Sequence, residues 1–218
     1  NTEIDTLFVN PEFFDCSAIG AIQEDTLFVV DISGNLSFCL ASVTVLDTIV
    51  PSVVCQDIDL YLDVNGDATV VPADVISSSY NNCPNPIITI DNSSFDCASV
   101  GSNNVTVDIS DVSGNASSCV SIVTVIDSIA PVAICQDVTA YLDTDGMTSI
   151  TAADVNNGSN DACGIDTLLL SQYNFDCANV GANTDTLTVI DNNGNSSVCL
   201  STVTVLDTIN PVVVCQNI

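Results

Sequence analysis

The run that decides the fold is Val105-Thr106-Val107-Asp108-Ile109-Ser110, followed by Asp111-Val112-Ser113-Gly114-Asn115 and then by Cys119-Val120-Ser121-Ile122-Val123-Thr124-Val125-Ile126. In its first part Val105, Val107 and Ile109 alternate with Thr106 and Asp108, the period of two that puts every second side chain on one face of a half-buried strand. In its last part β-branched residues dominate, as suits a pleated surface. Ser113-Gly114-Asn115 supplies a turn between them, so the two runs predict a hairpin. Upstream, Ile58-Asp59-Leu60-Tyr61-Leu62 alternates in the same way and stops at a second turn, Asp63-Val64-Asn65-Gly66-Asp67. Ala68 to Val71 and Ile87 to Ile90 read as further short strands. No stretch combines helical periodicity with capping residues.

The same text returns every eighty residues. Cys39, Cys119 and Cys199 are spaced by 80, as are Cys55, Cys135 and Cys215; Cys83 and Cys163 differ by 80; Cys16, Cys97 and Cys177 by 81 and 80. Phe14-Asp15-Cys16 recurs as Phe95-Asp96-Cys97 and Phe175-Asp176-Cys177, and Ser33-Gly34-Asn35 as Ser113-Gly114-Asn115 and Asn193-Gly194-Asn195. Self-similarity at a fixed period is the mark of repeated units. The expected organisation is a partial unit at 1–50, full units at 51–130 and 131–210, and the start of another at 211–218, as in a window on a longer polypeptide. Six or seven short strands in about 80 residues predict an all-β chain of tandem immunoglobulin-like β-sandwich repeats. The junctions Asp47-Thr48-Ile49-Val50-Pro51, Asp127-Ser128-Ile129-Ala130-Pro131 and Asp207-Thr208-Ile209-Asn210-Pro211 are short, and proline restricts φ. A stiff, extended array is the expectation.

Composition removes whole classes of function. The chain has no Lys, Arg or His against 28 acidic residues, a formal charge of −28. Nucleic-acid binding needs cations to displace counterions from phosphate, and none is present. A polybasic membrane contact fails for the same reason. No run of about 18 apolar residues occurs, so membrane insertion through a helix is not expected. Ser–His, Cys–His and Ser–Lys nucleophile pairs cannot be assembled. A carboxylate pair for glycoside hydrolysis needs a sugar cleft, and small repeated sandwiches with 5% aromatic residues and no Trp offer none. An enzyme is not expected. Disorder is excluded by the apolar content: high charge gives disorder only in a chain poor in apolar residues, and here mean hydropathy is +0.45.

Asp127-Ser128-Ile129-Ala130-Pro131-Val132-Ala133-Ile134-Cys135, and Asp111-Val112-Ser113-Gly114-Asn115-Ala116-Ser117-Ser118-Cys119 followed by Val123-Thr124-Val125, resemble the hyalin-repeat (HYR) domain. Close variants with four cysteines resemble tandem repeats of secreted surface proteins of Bacteroidota-type bacteria. The resemblance implies an immunoglobulin-like sandwich in extracellular adhesion or assembly, without catalysis. Two departures stand out: Cys55-Gln56 and Cys135-Gln136 replace the family's Cys-Pro, and Cys83 with Cys97 is an additional pair.

The cysteines lack the close C-x-x-C pairs of a zinc site, so disulfides are expected, and with them an oxidising, extracellular or cell-surface setting. Four per unit allow three pairings. In a sandwich the first and last strands run side by side, which favours Cys55–Cys119 and Cys135–Cys199 and leaves Cys83–Cys97 and Cys163–Cys177. Against this, Thr2 stands where Cys163 stands one period on, so Cys16 would be unpaired. Pairing Cys16–Cys39 with Cys55–Cys83 avoids that and stays open as the alternative; the first scheme is kept as the expectation.

Asp63-Val64-Asn65-Gly66-Asp67 and Asp143-Thr144-Asp145-Gly146 resemble calcium loops, with oxygen ligands at alternating positions around a glycine bend; equally, Asn-Gly and Asp-Gly are ordinary hairpin turns. Sandwich topology would bring Asp63, Asn65 and Asp67 towards Asp127, with Asp154 or Asp161 facing them, and would place Asp143, Asp145 and Asp207 alike one period later. Converging carboxylates in a chain without cations call for Ca2+. The Asp-x-Ser-Gly-Asn turns at Asp31 and Asp111 are expected to be plain hairpin turns. The recurring Asp-(Ser/Thr)-apolar motif looks like a Bacteroidota O-glycosylation signal, at Thr48, Ser128 and Thr208 in the junctions and at Thr6, Thr26, Thr167 and Thr186 elsewhere. Two functions follow: an extracellular fibre, stalk or sheath built by self-association of repeats and rigidified by calcium, or an adhesin or carbohydrate-binding module of a larger secreted protein, with glycans as partners.

Overall fold

The computed structural model describes residues 3–216; Thr2, on which part of the cysteine argument turned, lies outside them. The chain is nearly all β, 53% strand and 6% helix, in immunoglobulin-like sandwich form. Two compact units are formed, one from residues 1–58, 70–93 and 103–123, the other from 59–69, 94–102 and 124–218. Their boundary does not follow the sequence period: it divides the segment 51–130.

The first unit opens with β1 (Ile4–Asn10), β2 (Ile22–Asp31) and β3 (Leu36–Thr44), a three-stranded antiparallel sheet. The segment 51–130, which the two units share, supplies β4 (Ser52–Cys55), β5 (Ile58–Tyr61), β6 (Asp67–Thr69), β7 (Ile76–Tyr80), β8 (Ile87–Ile90), β9 (Ser94–Asp96), β10 (Gly101–Ser110) and β11 (Ala116–Ile126), of which β6 and β9 belong to the second unit. The decisive run of sequence is thus the β10–β11 hairpin, and the sheet order is β5-β11-β10-β8. Val105, Val107, Ile109, Val123 and Val125 are at most 1% exposed, the inward half of each alternation.

The second unit shows the architecture most completely. It adds β12 (Val138–Tyr141), β13 (Met147–Ser149), a single helical turn α1 (Ala152–Val155), β14 (Ile165–Leu170), β15 (Asn174–Asp176), β16 (Gly181–Asp191) and β17 (Ser196–Leu206). The sheet order is β12-β17-β16-β14, with β12 parallel to β17 from Val138↔Val203 to Tyr141↔Leu206. That parallel pairing brings Cys135 beside Cys199. Leu187, Val189, Val203 and Val205 line the inner face and are fully buried beneath Leu142, Ile150, Val155 and Phe175. Burial of this cluster stabilises the segment by about 25 cal/mol per Å2 of apolar surface removed from water.

The helical turn is a departure from the sequence expectation of no helix. Thr151 donates to Asp154 Oδ2 from both its backbone N and its Oγ1, each at 2.7 Å. Those bonds satisfy donors that a helix start leaves open, so four residues suffice.

Candidate junction site

Every Phe-Asp-Cys motif builds the same device. The Phe is a core residue in two of them, with Phe95 3% and Phe175 2% exposed, and is half-buried at Phe14. The Asp caps a 3-10 turn: Ser17 N, Ala98 N and Ala178 N donate to Oδ1 of Asp15, Asp96 and Asp176. Anchored by the Phe and started by the Asp, the turn holds out the Cys.

That Cys bonds across the period and not within it. The cystines are Cys16–Cys83, Cys55–Cys119, Cys97–Cys163 and Cys135–Cys199. Cys55–Cys119 and Cys135–Cys199 are the pairs that the parallel first and last strands favour. Cys83–Cys97 and Cys163–Cys177 are not formed, and neither are Cys16–Cys39 and Cys55–Cys83. Cys83 and Cys97 belong to different compact units, and Cys163 is already bonded to Cys97, leaving Cys177 free. Cys39 and Cys215 are also free and exposed. The signal for the cross-period bonds was Cys16 itself, an orphan only while bonds are kept inside one period.

Gly66 is shaped by this bond. It has φ +81°, and a Cβ there would meet Cys97 Sγ at 2.6 Å and Ala162 Cβ at 3.3 Å. The Asp63–Asp67 turn packs against the cystine and binds its own backbone: Asn65 N and Asp67 N donate to Asp63 Oδ1 at 2.8 and 3.1 Å. Those bonds, the one from Asp67 first, hold the Asp63 carboxyl below the ordinary carboxylate range. Asp143 caps its turn likewise, from Asp145 N and Met147 N. Asp154 closes the helix cap, which lowers its pKa through the Thr151 backbone bond first. Asp63, Asn65, Asp67, Asp143, Asp145, Asp154 and Asp207 are all exposed. Among the described residues the carboxylates of Asp63, Asp67, Asp143, Asp145, Asp154 and Asp207 belong to no group of three ligand atoms within 4.8 Å of one another.

Asp127 and Asp161 do converge. Their carboxylates and Cys163 Sγ lie within 4.8 Å of one another. Asp127 is 8% exposed; its Oδ1 accepts from Ile129 N at 3.0 Å, and its buried Oδ2 has no partner among the described residues. Asp161 Oδ1 accepts from Cys163 N at 2.7 Å. Cys163 is consumed by its disulfide and offers no thiolate. One period earlier, Asp47 Oδ1 accepts from Ile49 N and Asn82 Nδ2, and Oδ2 of Asp47 and Oδ1 of Asn81 are buried without partners among the described residues. Asp207 repeats the turn bond from Ile209 N.

Two further junction residues escaped the sequence reading. Asn115 Nδ2 donates to Asp111 Oδ2 at 2.8 Å and to the Asp47 carbonyl at 3.1 Å. Asn195 Nδ2 does the same to Asp191 Oδ2 and to the Asp127 carbonyl at 3.2 Å. These turns are hairpin turns that also grip the junction backbone. The Asn115 side-chain bond is the first cause of the lowered Asp111 pKa. Beside Asp47 and Asn82, an open cleft of about 280 Å3 is lined by Phe14, Ile19, Leu46 and Thr48. Of the candidate glycosylation positions, Thr48, Ser128, Thr208 and Thr6 are exposed, whereas Thr26, Thr167 and Thr186 are half-buried.

No protein-family model and no curated protein matches the chain. Among solved structures, it is similar to a three-domain immunoglobulin fragment of titin (TM-score 0.40, 10% identity, 86% of this chain and 75% of that one). It is also similar to the protocadherin gamma B4 extracellular domain (0.37, 14%, 84% and 38%) and to Drosophila N-cadherin EC1-4 (0.37, 13%, 86% and 59%). The chain thus spans less than two thirds of either cadherin structure. Among the described residues no helix is long and apolar enough to cross a membrane.

Proposed function

We propose that the chain is a load-bearing stretch of an extracellular fibre, stalk or sheath, made of tandem units at 51–130 and 131–210 flanked by parts of others. The observation that carries this is the overlap of its cystines. The spans 16–83, 55–119, 97–163 and 135–199 interlock, so every residue from 16 to 199 lies inside at least one closed loop. An isolated binding domain gains nothing from bonds that tie one period to the next. A strut does, because tension then passes through sulfur bridges. The absence of Lys and Arg also denies trypsin-like proteases a cleavage site. The resemblance of the junction motifs to hyalin repeats is in keeping with this role. Electron micrographs of native material test it: filaments with a periodicity of one or two units are expected, and dispersed particles overturn it. An adhesin or carbohydrate-binding module would be favoured instead by saturable oligosaccharide binding in the cleft beside Thr48.

Calcium belongs to this reading at the Asp127–Asp161 pair. A buried carboxylate oxygen without a donor, facing a second carboxylate, is stabilised by a hard cation, with waters completing six to eight ligands. Calcium at about 100 times its Kd would add about 2.7 kcal/mol. Tm is expected to rise with calcium and fall with EDTA, and Asp127→Asn should remove the difference. An equal Tm in both media rejects the site. Thr48, Ser128 and Thr208 are the exposed junction positions at which O-glycans would add mass beyond the peptide.

A further inference from the structure

Cys39, Cys177 and Cys215 are the three cysteines without a bond, and each stands where its equivalents are bonded. Cys177 follows the cap Asp176 and the core Phe175 as Cys97 follows Asp96 and Phe95. Its Sγ lies 3.7 Å from the Gly146 carbonyl, as that of Cys97 lies 3.7 Å from the Gly66 carbonyl. Gly146, at φ +75°, leaves it room, since a Cβ there would sit 2.7 Å from the sulfur. Cys39 is paired in register with Leu27 as Cys199 is with Leu187. Cys215 ends Pro211-Val212-Val213-Val214-Cys215, the counterpart of Pro131 to Cys135.

A second observation is independent of sulfur. The inner face of the β1–β3 sheet is uncovered. Leu27, Val29, Val43 and Val45 are half-buried where Leu187, Val189, Val203 and Val205 are 0% exposed, and Val9 is 41% exposed where Leu170 is 7%. In the second unit that face is covered by residues between 138 and 155 and pinned by Cys135–Cys199. At the other end Val212, Val213 and Val214, which lie outside any strand, are 90, 81 and 86% exposed.

We propose that Cys39, Cys177 and Cys215 are half-cystines, each completed by an adjoining segment of this same design. Its covering half seats on the β1–β3 face and bonds Cys39 at one end, and its counterparts of Cys163 and Cys199 bond Cys177 and Cys215 at the other. The separations seen here, 64 residues within a period and 66 across one, put all three partners outside the 218 residues. The inference rests on the fibre reading, though it concerns only how units are joined. Forming each bond removes two protons and two electrons from two thiols and needs a disulfide oxidant, such as oxidised glutathione, which leaves as two thiols.

Native material, denatured without reductant, alkylated and cut with an acid protease, reads the result. Cys39, Cys177 and Cys215 are expected in cross-linked peptides; alkylation of any of them as a free thiol overturns the inference, even where micrographs show filaments. Reduction of uncut material separates the sources: release of chains of 22.6 kDa means that the adjoining segment is a separate molecule, and a longer polypeptide means that it is continuous with this one. As a second measurement, a peptide of residues 131–163 is added to the full chain with oxidised glutathione. Its Cys135 is expected predominantly on Cys39 and its Cys163 on Cys177; even scatter over the three thiols contradicts the pairing.

Discussion

Gly66, Gly146 and Gly34 share a left-handed backbone, at φ +81°, +75° and +81°, and separate what strain and what contact each contribute. A left-handed conformation costs any L-residue roughly 1–2 kcal/mol, so Gly34→Ala, whose Cβ meets nothing within 4 Å, should lose about that much. Gly66→Ala should lose clearly more, since its Cβ meets a sulfur fixed by the Cys97–Cys163 bond; in the chain alone Gly146→Ala should fall between, because the Cys177 sulfur has no bond there and can rotate away. Denaturant melts of the three variants check the order. Asp63 gives a second test. Its folded pKa is depressed, so its stabilisation is complete above the unfolded value of about 3.9 and is lost as pH falls through the folded value. Asp63→Asn keeps the acceptor and removes the charge. It should be less stable than the parent at neutral pH and equal to it at the acid end; a difference that persists there would show that hydrogen-bond geometry, not charge, is responsible. At this scale sequence was a partial guide. The calcium-like pattern of Asp63 and Asp143 was legible; in the structure Oδ1 of each accepts from the backbone of its own turn. The meeting of Asp127 with Asp161 was legible through the assumed sandwich topology, which offered Asp154 or Asp161 as the facing residue; Asp154 instead caps the helical turn through Thr151.

Strands were the most legible elements because their period is local. The β10–β11 hairpin follows from Val105 to Ile126 alone, and the parallel β12–β17 pair follows once a sandwich is assumed. The turn α1 was missed because four residues carry no helical period, although Thr151 and Asp154 spell a cap at the right spacing. The cross-period cystines were missed for a different reason: an 80-residue text that repeats invites the assumption that each copy closes upon itself. The sheets also show how much a strand owes to what covers it. Leu187 and Leu27 occupy the same place in register, one fully buried and one half-buried. Leu187→Ala should cost about 2–5 kcal/mol, the range for emptying a packed leucine site. Leu27→Ala should cost well under half of that in the chain alone, because its methyl groups already meet water. Equal losses would mean that the β1–β3 face is covered after all.

Over the whole molecule the sulfur bridges change what unfolding can do. Without them, the stretch from Cys16 to Cys163 is 147 residues (163 − 16), about 500 Å when drawn out at roughly 3.4 Å per residue. With Cys16–Cys83 and Cys97–Cys163 intact, a covalent path jumps from 16 to 83 and from 97 to 163. Only the fourteen residues from Cys83 to Cys97 remain to be stretched, about 50 Å, plus two bridges with Cα–Cα distances of 5.7 and 5.2 Å. The within-period cystines Cys55–Cys119 and Cys135–Cys199 do not shorten this path; they stabilise the sandwiches by closing loops, worth about 4 kcal/mol each in the chain-entropy model. Two double variants therefore separate stability from extensibility. Cys55→Ser with Cys119→Ser should lower Tm and leave the fully stretched length between handles at residues 16 and 163 almost unchanged. Cys97→Ser with Cys163→Ser should lower Tm by a similar amount and lengthen that limit by about 200 Å at roughly 3.4 Å per residue, since the shortest covalent path then runs 28 residues from Cys83 back to Cys55 and 44 from Cys119 to Cys163 in place of the 14 from Cys83 to Cys97. Single-molecule extension under non-reducing conditions measures both. A chain whose stretched length is the same in the two variants would not be using its cross-period bridges to carry load.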